Sequence, residues 1–417
     1  MKVGIRLGAA CALLFGHVQA AEVLSLERAL ELAERNNPRL TVAAAQTEAA
    51  RASILTARAY PNPETALDLG RQRPRDPDAR EGNVVVFGLA QPIELPSVRD
   101  PRIRAAEAGL EGSQFAQQES RLALRAAVKL AFFEVVRRKA EAELAADNQK
   151  LLEDIRRRIA VRVEVGEAPR LELTRADAEA RSAANATASA RLRVTEARAQ
   201  LYALTGLTAA AGADVDGTLD APPTLPPLET LRDEVLERYP LLAQSRADIR
   251  RAEARLETER ALRTPQPTVR AGVNQDPDQR QILLGVSIPI PIWNQRQGQI
   301  GEAVALLQQA TASAEIRRIE LLTALEAAYA RHAVATQQIE AFQSGLLRQA
   351  EDALRVAEAA YRFGERGFID VLDAQRTLRA ARLDFLTARF AQRAAYIDIE
   401  QLRAVELGSL PREGTRQ

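Results

Sequence analysis

The chain has 417 residues and 46 % hydrophobic content, enough for two or three ordinary globular domains, yet only 4 % of it is aromatic. Basic and acidic residues balance at 57 and 56, so there is no basic field to attract nucleic acid. Ala, Leu, Arg, Glu and Gln dominate, the residues of long helices, while the only Met is Met1, the only Cys is Cys11 and the two His are His17 and His332.

Residues 1–20 read as a secretory signal: Lys2 and Arg6, an apolar run over residues 9–15, then Val18-Gln19-Ala20 before Ala21. The run falls short of the roughly 20 residues that a helical anchor needs. Gly8-Ala9-Ala10 also lacks the large apolar residue expected three before a lipid-bearing Cys. Beyond the leader there is no Cys and one His, which excludes disulfides, thiolate catalysis and soft metal cages. No later apolar stretch reaches 18 residues, so no transmembrane helix is expected.

The rest of the chain repeats itself. The first copy occupies residues 21–227 and the second residues 228–407, leaving residues 408–417 as a tail. In each copy an amphipathic helix breaks at a proline and resumes, at Asn37-Pro38-Arg39-Leu40 and at Tyr239-Pro240-Leu241-Leu242. The resumed helices end at Pro61-Asn62-Pro63 and Pro265-Gln266-Pro267. Two alternating segments follow in each copy, over residues 65–70 and 83–91, then 268–274 and 282–288. Apolar and polar residues alternate along them as in half-buried strands, with Leu283 spoiling the polar side. Loops rich in Asp, Pro and Arg join them at residues 71–82 and 275–280.

Very long helical stretches come next, interrupted at residues 165–169 and 363–367. Between Gly112 and Gly166 there is no Gly or Pro, and a helix over that stretch would be about 80 Å long. The last helix of each copy carries a seam stepping 4-3-4-3. One runs Ala176, Ala180, Ala183, Thr187, Ala190, Val194, Ala197, Leu201 and Leu204; the other runs Ala374, Leu378, Ala381, Phe385, Ala388, Gln392, Ala395, Ile399 and Leu402. Such seams specify left-handed coiled-coil packing, and their alanines let backbones approach closely.

Long helices alone suit a rod-like periplasmic coiled coil that tethers envelope components. The strands separate the readings. Segments of this length cross a bilayer when tilted, but four strands cannot close a barrel, and an open edge in lipid strands backbone groups at several kcal/mol each. Closure therefore requires several chains; geometry and even strand number allow two, three or four. The competing arrangement is a pair of soluble hairpins capping a coiled coil.

At this point the chain resembles the outer-membrane efflux proteins, the TolC family, over nearly its whole mature length. The duplicated helix–strand–strand–helix–helix order carries the likeness. So does Gly364-Glu365-Arg366-Gly367-Phe368-Ile369-Asp370-Val371-Leu372-Asp373-Ala374-Gln375, similar to the family's second inter-helix tip. Ile288-Pro289-Ile290-Pro291-Ile292-Trp293-Asn294-Gln295-Arg296-Gln297-Gly298 is similar to the segment leaving the last strand in the cobalt–zinc–cadmium (CzcC-like) branch, where another apolar residue is commoner at the place of Trp293.

The resemblance implies a mainly α fold with a small β part: a homotrimer whose four strands per chain make a 12-stranded outer-membrane barrel, continued by a helical tunnel through the periplasm. It implies the function of an exit duct in a tripartite efflux system, with a periplasmic adaptor (membrane fusion) protein and an inner-membrane RND pump as partners. Divalent heavy-metal cations are the cargo it suggests. Asp370 and Asp373 match the family's Asp pair at the periplasmic entrance, where three copies would make carboxylate rings. Acids in a first helical turn also favour the helix dipole with no further role. The first-copy positions, Glu172 and Arg175, break the pattern. Val165 and Gly166 at one tip, and Gly364, Glu365, Arg366 and Gly367 at the other, are the adaptor-docking residues the likeness implies. No cofactor, metal site or catalytic constellation is expected, and a lone His332 among Arg331, Ala333 and Val334 reads as a surface or packed residue.

Overall fold

The computed structural model describes residues 23–405, apart from 74, 76, 77, 79 and 208–213. The leader at residues 1–20, with Cys11, and the tail at residues 408–417 lie outside the described residues. A two-residue strand β1 (Val23–Leu24) opens the first copy. Helix α1 (Leu26–Asn36) starts on Ser25, whose hydroxyl accepts from the Arg28 amide at 3.2 Å. Its successor α2 (Pro38–Arg58) is capped by Asn37, whose side chain accepts from the Arg39 amide at 2.9 Å, with proline in the first turn where no amide is needed. Strands β2 (Glu64–Gln72) and β3 (Gly82–Pro92) follow, then α3 (Pro96–Glu164), α4 (Arg170–Thr205) and a short β4 (Asp214–Val215). At 69 residues, α3 is about 100 Å long.

The second copy runs α5 (Leu228–Arg238), α6 (Pro240–Ala261), β5 (Thr268–Gln275), β6 (Arg280–Ser287), α7 (Gln297–Ala341), α8 (Leu347–Arg362) and α9 (Phe368–Arg403). Each proline-broken helix and each strand falls where the periodicity places it, with β6 ending one residue short of Ile288. Two features differ from the sequence reading. The long second-copy stretch is not continuous, because a π-turn over Phe342–Leu346, with Gly345 at φ 156°, separates α7 from α8. Nothing in the heptad pattern marks it. The other is the parallel pairing of β1 with β4, which buries Leu24 and Val215.

The core is strung along the helices instead of gathered in one place. One cluster joins α1, α3 and α4 through Leu30, Phe132, Val135 and Leu201; a second joins α5, α7 and α9 through Leu231, Leu325 and Ile399. A third lies near the tips: Leu152 and Ile159 of α3, Ala176 and Ala183 of α4, and Phe368, Val371 and Leu372 of α9. Seam residues are buried in both copies, with only Val194, Leu204, Ala374 and Phe385 partly exposed. Asn37 ties the two ends of the first copy together by donating from Nδ2 to the Leu204 carbonyl at 2.8 Å. The chain exposes 27099 Å², where a compact monomer of its 45.6 kDa would expose roughly 16,000 Å².

Candidate functional site

The four long strands form one antiparallel sheet in the order β2-β3-β5-β6, so each copy supplies a hairpin and the two hairpins meet at β3 and β5. Register sorts the side chains. Leu67 lies opposite Phe87, Phe87 opposite Val273, and Val273 opposite Ile282. The next row on that face is Thr65, Leu89, Ala271 and Leu284. Leu69 with Val85, and Val269 with Val286, extend the band in either direction. These side chains look outward: Leu69 is 73 % exposed and Leu284 80 %. From Val85 to Gln91 the rows span about 20 Å along the strand, about 15 Å of height at the 35–45° tilt of strands in a transmembrane barrel.

The opposite face carries Asp68, Gly88, Arg270, Gly272, Asn274, Gln281 and Gly285, with Ala66, Val84, Val86, Ala90 and Leu283 as its apolar members. Along β3 this face is consistently the less exposed one. An apolar face and a more polar face suit lipid on one side and water on the other. Among the described residues both β2 and β6 are unpaired along their outer edges, as the expectation of closure by several chains requires. At the foot of the sheet Ile288, Ile290, Ile292 and Trp293 are exposed, Trp293 at 91 %.

The far end of the molecule is built from the two tips, which share one geometry. At the first, the Glu167 amide reaches back to the Arg162 carbonyl at 2.8 Å; at the second, the Glu365 amide reaches the Ala360 carbonyl at 2.9 Å. Gly166 and Gly364 supply the left-handed residue that this helix ending demands, at φ 81° and 73°. Gly367 does not share that role. It precedes α9 with φ −79°, the conformation that Pro169, at φ −68°, provides in the first copy. Val165 and Phe363, at matching positions, point into solvent at 65 % and 80 % exposure. Gly166, Gly364, Glu365, Arg366 and Gly367 are exposed as well.

Asp370 and Asp373 begin α9 on the side away from Phe368, Val371 and Leu372, which plug the tip cluster. Asp370 is half-exposed with Arg366 at 4.0 Å, and Asp373 is exposed. The structure therefore places both acids on one face of α9, Asp370 in the first turn and Asp373 in the next, beside the tip. Glu172, the first-copy counterpart, is engaged: the Tyr361 hydroxyl donates to it at 3.3 Å, and the Arg162 guanidinium lies 5.1 Å from the Tyr361 ring centre. Burial and the adjacent Glu172 push the Tyr361 phenol up. This cross-copy tie between α3, α4 and α8 carries no sequence signal, because its members are far apart in the chain.

His332 is half-buried in α7, and burial holds its imidazole below the ordinary value. Among the described residues there is no group of three or more His, Cys, Asp or Glu placed to hold a metal ion, and no helix is long and apolar enough to cross a membrane.

Two segments of the chain, residues 29–207 and 231–404, match the family model of the outer membrane efflux protein. The cobalt-zinc-cadmium resistance protein CzcC of Cupriavidus metallidurans is 32 % identical over 372 residues, covering 88 % of this chain and 87 % of that protein. The nickel-cobalt-cadmium resistance protein NccC of Alcaligenes xylosoxydans xylosoxydans is 26 % identical over 310 residues, 73 % of this chain and 69 % of the relative. Among solved structures, the CmeC outer membrane channel of Campylobacter jejuni superposes with a TM-score of 0.80 at 16 % identity, over 99 % of this chain and 95 % of that one. The chain belongs to the outer membrane efflux protein family.

Proposed function

We propose that this outer membrane efflux protein works as a homotrimeric exit duct for divalent heavy-metal cations, coupled through a periplasmic adaptor to an inner-membrane RND pump. The observation that carries the reading is the sheet: an apolar face, a more polar face and two outer strands with open edges, continuous with a helical layer in the same order. Edge-to-edge pairing of β2 with β6 of the next chain leaves no strand unpaired in lipid, and three chains give twelve strands, within the range of outer-membrane barrels. The metal cargo follows from the printed names of CzcC and NccC.

The exposed tips are the adaptor-docking elements in this reading, with Val165 and Phe363 as apolar contacts flanked by Gly166, Gly364, Glu365, Arg366 and Gly367. Asp370 and Asp373 form the entrance rings once three copies surround one axis. Chain energy is supplied by the pump, since a duct only lets cargo run down its gradient. The test is fractionation of the outer membrane followed by an unheated gel. The duct reading expects a detergent-extracted oligomer that drops to the 45.6 kDa range on boiling. A water-soluble periplasmic monomer would overturn it in favour of the tethering coiled coil.

A further inference from the structure

Below the sheet, α2, α3, α6 and α7 pack side by side in the order of the strands they adjoin. The two faces of this layer are charged differently. On one face the cations are paired: Arg250 with Glu111 at 2.5 Å, Arg58 with Glu107 at 3.0 Å, and Arg104 with Glu257. On the other, a cavity of about 750 Å³ touches all four helices, from Ser53 and Thr56 of α2 to Gln299 and Glu302 of α7. A single cavity that reaches both outer helices of a four-helix layer lies on the side toward which the layer curves.

Arg251 and Arg255 stand in this cavity one turn apart on α6. The other arginines around it are committed: Arg102 to Glu94, Arg296 to Glu259, and Arg317 to Asp248 at 3.2 Å in the adjoining groove. Among the described residues, Arg251 and Arg255 have no ion-pair partner. Burial is the main cause that holds the Arg255 guanidinium below its ordinary value, with the Arg251 charge second. Glu302 lines the cavity from α7 and leaves the pair with an excess of positive charge.

Two guanidiniums a turn apart, without a carboxylate of their own, make a cationic pair; the nearby Ser53 and Thr258 hydroxyls already donate to the Ala50 and Ala254 carbonyls, so the guanidiniums are the donors left for a ligand. Guanidinium forks fit the planar oxygens of phosphate-like anions, and charge-assisted bonds to them are the strong ones. We propose that Arg251 and Arg255 bind multivalent oxyanions, of which inorganic phosphate is the simplest, on the concave face of the tunnel wall. The proposal rests on the duct reading for its consequence: three copies would set six arginines around the lumen beneath the barrel. Such a belt repels bare divalent cations and holds counter-anions, so cations cross it accompanied by anions. It would oppose the acidic entrance at the far end of the tunnel and make the duct electrically two-zoned.

Two measurements on the full protein separate this idea from the duct reading. Calorimetric titration of the detergent-solubilised protein with inorganic phosphate, at constant ionic strength, should give saturable binding. The double substitution Arg251→Gln with Arg255→Gln should weaken it about tenfold or more, whereas Arg250→Gln on the paired face should leave it unchanged. In planar bilayers, phosphate replacing chloride should lower wild-type conductance, and the double variant should lose that effect. Absence of phosphate binding, or equal binding by wild type and a double variant that still runs as the unheated oligomer, overturns the proposal. Phosphate binding by a protein that forms no pores would sustain the anion site and sink the duct reading.

Discussion

Gly364 and Gly367 lie three residues apart in one tip, and the structure assigns them opposite sensitivities. Gly364 sits at φ 73°, with no atom within 4 Å of where a Cβ would stand. Gly364→Ala therefore meets no neighbour, and its whole cost is the left-handed backbone, about 1–2 kcal/mol for an L-residue. Gly367 is equally open but has φ −79°, which alanine adopts freely. Gly367→Ala should be neutral, or stabilising by about 0.4–1 kcal/mol through a less flexible unfolded chain.

The readout has to be local, because the tip is remote from most of the core. Hydrogen exchange at the Glu365 amide, bonded to the Ala360 carbonyl at 2.9 Å, reports opening of this turn alone. Gly364→Ala should speed that exchange about 5- to 30-fold, the factor belonging to 1–2 kcal/mol. Gly367→Ala should leave it unchanged or slower. Gly364→Val, with a branched side chain in the same conformation, should cost more and abolish metal resistance in cells while the oligomer still reaches the outer membrane. Equal exchange in the two alanine variants would show that backbone conformation does not control the tip. Full resistance of Gly364→Val would remove the tip from docking.

Adjacent residues of β3 test the sheet. Phe87→Lys puts a charge on the outward apolar band, at about 2–4 kcal/mol per chain near mid-bilayer, and should deplete the unheated oligomer from the outer membrane; Val86→Lys, on the opposite face, should not. Similar assembly of both variants would refute the assignment of faces. Asp370→Asn with Asp373→Asn should lower cation selectivity and divalent block in single-channel recordings, more so at low salt, since screening shortens the reach of a ring to about 10 Å at 0.1 M; unchanged selectivity would leave the pair as a helix start. Glu34 supplies a pH effect. Burial raises its carboxyl, but Arg121 and Arg125, each 2.5 Å away, outweigh burial and hold it below its ordinary 4.5. A depressed acid contributes stability above its unfolded value and loses it as pH falls through the folded one, so wild-type stability should decline in acid below pH 4.5 by more than that of Glu34→Gln. Parallel acid melting curves for the two proteins would contradict this.

Periodicity and punctuation carried much of this molecule. The doubled pattern of proline breaks at Pro38 and Pro240, the alternating segments and the 4-3 seams are local properties of the chain, and local hydrogen bonding realises them almost residue for residue. Gly166 and Gly364 were legible for the same reason, because an unbroken helix that ends on glycine has few ways to turn. What the sequence left open depends on which distant segments touch. Alternation along one strand defines two faces, but only the register of four strands makes Leu67, Phe87, Val273 and Ile282 a single apolar row and leaves β2 and β6 open at the edges. The bend at Gly345 escaped the heptad reading because hydrophobic spacing does not register a π-turn; its one mark in the sequence is the Ser344-Gly345 pair. Arg251 and Arg255 look like any other arginines on a charged helix. Their lack of partners exists only because α3, α6 and α7 pack so that every neighbouring carboxylate but Glu302 is already taken or turned to the opposite face.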